Sequence, residues 1–140
     1  MGFYASAGGN ESTALGLSTS AGGTYSVATG NSTSASGDSS TSMGKSTTAS
    51  SYELVAIGQY NVGKNEMSGT PSLTNWVNTP GSADPAFEIG NGTGTGSSAS
   101  DALVVYKDGT SKFQGTITAS AGVLTTPASV TNTDIPMFQP

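Results

Sequence analysis

The 140-residue chain contains no cysteine, no histidine and no arginine; its four positive charges are Lys45, Lys64, Lys107 and Lys112. Without cysteine there is no disulfide framework or thiolate site, and without histidine there is no imidazole for metal binding or proton transfer. Without arginine the usual bidentate reader of phosphate is missing. Charged residues make up only 9% and the net charge is -5. That balance leaves no electrostatic footprint for nucleic acid or an anionic membrane surface. No apolar run approaches the roughly 18–20 residues that span a bilayer, so membrane insertion of these residues is not expected. The first residues lack a basic start followed by an apolar stretch, so no signal peptide is expected. The chain opens inside a repeat, as a piece cut from a longer protein would.

What is abundant is small. Ser, Thr, Gly and Ala number 23, 20, 20 and 15, together 78 of the 140 residues. A large core of Leu, Ile and Phe is excluded, and so is much helix, because Gly, Ser and Thr are poor interior helix residues.

These small residues keep a phase. Glycine recurs every seventh position at Gly2, Gly9, Gly16, Gly23, Gly30, Gly37 and Gly44, then Ser51, then Gly58. Two residues before each step stands Ala7, Ala14, Ala21, Ala28, Ala35, Ser42, Ala49 or Ala56, and three residues after it a hydroxyl such as Ser12, Thr19, Ser26 or Thr33. The residue just before the glycine alternates. Leu15, Thr29, Met43 and Ile57 are larger; Gly8, Gly22, Ser36 and Ser50 are small. The structural unit is therefore 14 residues, built of two similar halves. A coiled coil needs apolar a and d positions among helix formers, and the strictest positions here are Gly and Ala. A flexible linker has no reason to hold register.

The remaining reading is all-β: a β-solenoid in which each half contributes a short strand and a tight turn. Glycine would sit where φ is positive or backbones approach closely. Alanine would fill a narrow interior, and Ser/Thr ladders would line the outer faces. Four coils would rise about 19 Å at the inter-strand spacing. Such a chain buries little apolar surface by itself, since only Leu15, Val27, Met43, Leu54, Val55 and Ile57 add bulk. The 14-spaced row of larger side chains is expected to meet the same row of other chains, making an obligate oligomer.

The segments Ser12-Thr13-Ala14-Leu15-Gly16, Ser26-Val27-Ala28-Thr29-Gly30, Ser34-Ala35-Ser36-Gly37 and above all Leu54-Val55-Ala56-Ile57-Gly58 resemble the head repeats of YadA-like trimeric autotransporter adhesins. The resemblance covers residues 2–63 and implies a left-handed parallel β-roll, a homotrimer around one axis, and surface adhesion. It implies that Val55 and Ile57 face the shared interior; with Leu15 and Met43 they form the expected trimer core. The match thins over residues 31–51, where Ser replaces most apolar residues. The same repeats occur in bacteriophage tail fibres and in adhesive trimer fibres of predatory bacteria.

After Gly58 the composition shifts: prolines begin at Pro71, and Trp76, Phe87, Tyr106, Phe113 and Phe138 follow. Ala86–Ile89 and Ala102–Tyr106 read as strands, Asp108-Gly109 as a hairpin turn, and Lys112–Thr118 as the return strand. The organisation expected is a β-roll in 1–63, a β-rich meander forming a neck or tip in 64–120, and an irregular tail in 121–140. The stretch from Asp84 to Thr93, followed by Asp101 to Gly109, resembles a segment that follows YadA-like heads in trimeric fibre proteins.

Chemical motifs are sparse. Gly94 to Ala99 fits a dinucleotide fingerprint in letters, but no helix signal follows it. The nine acids are scattered, although Glu88 could meet Asp101 or Asp84 in a folded meander, which is the least a glycosidase would require. No catalytic, cofactor or metal residue is assigned. Trp76, alone in a Pro/Gly-rich stretch, is a candidate ligand or partner contact, with plugging the space between chains as its structural alternative. The expected function is a non-enzymatic, structural and adhesive fibre segment, extracellular at a cell surface, its partner a surface glycan or protein on another cell. The alternatives are a phage tail fibre that recognises host glycan and a polysaccharide-cleaving tailspike.

Overall fold

A computed structural model describes residues 2–63 and 84–115. It is all-β: among the described residues there is no α-helix. Long strands β2 (Thr13–Leu17), β4 (Val27–Asn31), β6 (Thr41–Lys45) and β8 (Val55–Gln59) alternate with short strands β1 (Ser6–Ala7), β3 (Ser20–Ala21), β5 (Ser34–Ala35) and β7 (Thr48–Ala49). Like strands stack in parallel with a constant offset of 14, so that Ala14 lies beside Ala28 and Gly16 beside Gly30. The result is a β-solenoid of about four coils, and the register holds through the Ser-rich stretch, where Thr41 stacks on Val55.

Two features of the backbone set the seven-residue beat. Glycine is required because the coils touch there. A Cβ on Gly23 would lie 2.1 Å from the carbonyl oxygen of Gly37, and one on Gly30 would lie 2.0 Å from that of Gly44. Gly30 also has a φ of +122°, whereas Gly23 keeps an ordinary φ. The left-handed conformation itself falls elsewhere: Tyr4, Glu11, Ser18, Tyr25, Ser32, Ser39, Ser46, Glu53 and Tyr60, every seventh residue, have φ between 45° and 58°. Each such residue costs about 1–2 kcal/mol. The strain is offset because the same residue's N–H enters the stack, as Tyr25 does with Asn10 O at 2.8 Å and Ser39 with Thr24 O at 2.7 Å.

Between the two sheets lies a narrow interior. Ala21, Ala28, Ala35, Ala49 and Ala56 are fully buried, as the small-residue phase requires. The hydroxyl ladders lie in the same interior, a correction to the expectation of outer faces: Thr19, Ser26, Thr33, Ser40 and Thr47 are all buried. Several of these hydroxyls bond inward carbonyls that water cannot reach. Ser26 Oγ donates to Gly23 O at 2.7 Å, and Ser42 Oγ bonds both Thr47 O at 2.9 Å and Thr47 Oγ1 at 2.8 Å. Leu54 takes the place in its coil that Ser40 holds one coil earlier, and is completely buried.

Thr33 stands in the coil of Ala28 as Thr47 stands in that of Ser42, and its buried hydroxyl has no partner. Ala28→Ser should supply one and raise stability by about 1 kcal/mol. A thermal melt checks this, and a lowered midpoint would contradict the interior pairing.

β9 (Pro85–Asn91) continues the stack. It pairs in parallel with β8 at the same register, Val55 with Phe87 and Ile57 with Ile89. β10 (Asp101–Tyr106) and β11 (Ser111–Phe113) then add antiparallel strands, completing a seven-stranded sheet in the order β11-β10-β9-β8-β6-β4-β2. The Asp108-Gly109 turn forms as expected; Asp108 Oδ1 accepts from Thr110 N at 2.8 Å and Thr110 Oγ1 at 2.6 Å. The return strand is shorter than the expected Lys112–Thr118: it spans Ser111–Phe113, Gln114 and Gly115 bend away from it with Gly115 at a φ of +104°, and Thr116 to Thr118 lie outside the described residues.

Candidate functional site

Strand alternation turns every second side chain of the long strands away from the interior. In-register stacking converts that into rows. One row runs Leu15, Thr29, Met43, Ile57, Ile89, Leu103 and Phe113, one residue from each of the seven strands. A second, parallel row contains Val27, Val55, Phe87 and Val105. Leu15, Met43 and Phe113 are 51%, 45% and 52% exposed, while Val55 and Ile57 are half-buried by their neighbours in the row. The sequence-predicted set Leu15, Met43, Val55 and Ile57 is thus brought together on one outward face.

Sequence reasoning missed the continuation of this face through Phe87, Ile89, Leu103, Val105 and Phe113. A signal was present: Phe87-Glu88-Ile89-Gly90 repeats the apolar-x-apolar-Gly spacing of Val55-Ala56-Ile57-Gly58, and the two segments pair residue for residue. Trp76 lies outside the described residues.

The second feature is a buried acid pair where the solenoid meets the meander. Glu88 shares a register position with Ala56 and so enters the interior column; it is 1% exposed, and Asp101 is 2% exposed. These two carboxyls hold the end of the last coil. Asn61 Nδ2 donates to Glu88 Oε2, and the Gly63 N–H also bonds Glu88. Val62 N donates to the two oxygens of Asp101 at 3.2 and 3.3 Å. The Asn61 amide meanwhile closes the open edge of β7, accepting from Thr48 N at 2.7 Å and donating to Thr48 O at 2.9 Å.

Burial pushes the Glu88 carboxyl up to about 8, and the Asp101 charge beside it adds to the rise; bonds from Asn61 and Gly63 pull partly back. Burial also raises Asp101, to about 6, against the bond from Val62. The folded chain therefore holds protons that the unfolded chain releases near pH 4. This stabilisation is complete below about pH 4 and is lost as pH rises towards about 8. Glu88→Gln keeps one acceptor oxygen for the Asn61 amide and removes the charge. It should flatten the fall in melting temperature between those limits; an unchanged pH profile would show that Glu88 is not the group responsible.

The expectation that Glu88 could meet Asp101 is realised, but inside a closed junction rather than at a cleft. Among the described residues there is no group of three or more acids that could hold a metal ion, and no helix is long and apolar enough to cross a membrane. The Gly94–Ala99 stretch forms a loop with a short helical turn at Gly96–Ser98 between β9 and β10, not the start of a long helix. No family model, curated protein or solved structure matches the chain.

Proposed function

We propose that the chain is a segment of a homotrimeric, non-enzymatic fibre, three left-handed β-rolls side by side, that attaches one cell surface to another cell or matrix. The observation that carries this reading is the outward apolar row from Leu15 to Phe113, unbroken by any charge across seven strands. Soluble single chains rarely leave such a patch to water, and the interior of alanine and hydroxyls offers little burial to offset it. Rows that run along the stack are all covered at once when copies associate with their stack axes parallel. Three identical copies would also let weak surface sites on one fibre act together. Burial of the Glu88–Asp101 pair favours the structural reading over the polysaccharide-cleaving one, which requires two carboxyls open to substrate.

A panel of glycans and cell surfaces probed with the assembled protein tests the adhesive part. Binding is expected for the assembly, and its avidity should fall by on the order of 100-fold when the chains are separated. Binding to no member of the panel would overturn adhesion by these residues, and equal binding by separated chains would remove the part assigned to trimerisation.

A further inference from the structure

We propose that the assembled ring is locked by a charge pair that no single chain contains, Lys45 of one copy against Asp38 of the next. The proposal rests on the trimer reading above. In the described roll the three carboxylates, Glu11, Asp38 and Glu53, all lie in turns that lead into long strands, whereas Lys45 ends one. The two turn edges of the roll therefore differ in sign. When copies are related by rotation about an axis along the stack, every coil keeps its height. The end of β6 in one copy then meets the turn that leads into β6 in its neighbour.

That alignment brings Lys45 to the level of Asp38, since both flank the same strand. It sets no like charges together: the coil of Glu53 ends in Gln59 and Tyr60, and the coil of Glu11 ends in Leu17 and Ser18. Both partners are exposed in the single chain. Asp38 spends Oδ1 on the Thr24 N–H at 2.8 Å, which fixes the carboxylate in its turn. The Lys45 ammonium stands 5.3 Å from the centre of the Tyr60 ring, which holds it at the end of the strand. A closed ring of three copies would repeat the pair three times and give the chains a direction of assembly that the apolar rows alone do not supply.

The test combines charge reversal with carbodiimide coupling, which joins a carboxylate to an amine only in contact. Isotope-labelled and unlabelled chains are refolded together, coupled and digested. Coupled Asp38–Lys45 peptides with one labelled and one unlabelled half are expected. Asp38→Lys and Lys45→Glu should each lower the thermal midpoint of the assembly by several degrees, and the double swap should recover more than half of the loss. Trimers by sedimentation that yield no such peptide, with a double swap no better than the worse single variant, would overturn the pair while leaving the trimer standing. Single chains by sedimentation would overturn both.

Discussion

Ile57→Asp is expected to dissociate the assembly into single chains. Ile57 lies at the middle of the outward row, stacked between Met43 on β6 and Ile89 on β9. In the proposed trimer three such side chains meet in a dry space, and none of the row's own residues is a cation. A carboxylate placed there either stays charged without a partner or takes up a proton at the expense of association. The penalty is about 4 kcal/mol or more per chain. Because Ile57 faces away from the chain's own alanine interior, the coil itself should still form. Ser36→Asp, exposed just beyond the short strand β5, is the control and should leave the mass unchanged. Light scattering reads both. An Ile57→Asp protein that remains trimeric and equally heat-stable would show that the row does not form the shared core.

A second large effect is expected within the coil, from a single methyl group. Gly30→Ala places a Cβ 2.0 Å from Gly44 O and asks alanine to hold a φ of +122°. Neither atom can withdraw, because Gly44 is held in the same way by Gly58. The strain alone is of order 1–3 kcal/mol, and the backbone collision adds to it. A fall of roughly 15 °C or more in melting temperature is expected. Gly22→Ala is the matched control: it has open space around its Cβ and no positive φ, so it should be near neutral or slightly stabilising. Equal melting temperatures for the two variants would contradict the close stacking of coils at the Gly30 column.

The glycine contrast shows why so much of the solenoid was legible. Where one coil's backbone touches the next, only hydrogen fits, so glycine must recur at a fixed interval and the interval exposes the coil length. Alanine two residues earlier follows from the narrow interior. The left-handed residues were not legible. Ser, Glu and Tyr share that conformation here because a backbone N–H bond to the previous coil sustains it, and such a bond places no demand on the side chain. The placement of the hydroxyls was misread for a related reason. Serine and threonine look like surface residues by composition, yet the narrow interior takes small side chains, and buried carbonyls bond Ser26, Ser40 and Ser42 there.

The junction was legible only in part. Ala86–Ile89 was recognised as a strand, but its role as the next long strand was hidden by the distance from β8 in sequence. Once Glu88 takes the place of Ala56 in the interior column, it needs a partner inside the fold. That partner, Asn61, is 27 residues away in the chain. No local pattern announces such a contact. An acid that stood among nine scattered ones in the sequence therefore became the closure of the coil's end. The face was foreseen in its first four coils by Leu15, Met43, Val55 and Ile57, and its extension onto the meander came from strand pairing that composition alone does not reveal.

The most direct test of the account is the molar mass of the intact protein by sedimentation equilibrium over a wide range of concentration. Each chain is 13.8 kDa. Three chains per particle, persisting on dilution while the protein stays folded, is the predicted result. A folded, heat-stable single chain that keeps the row from Leu15 to Phe113 open to water would contradict it.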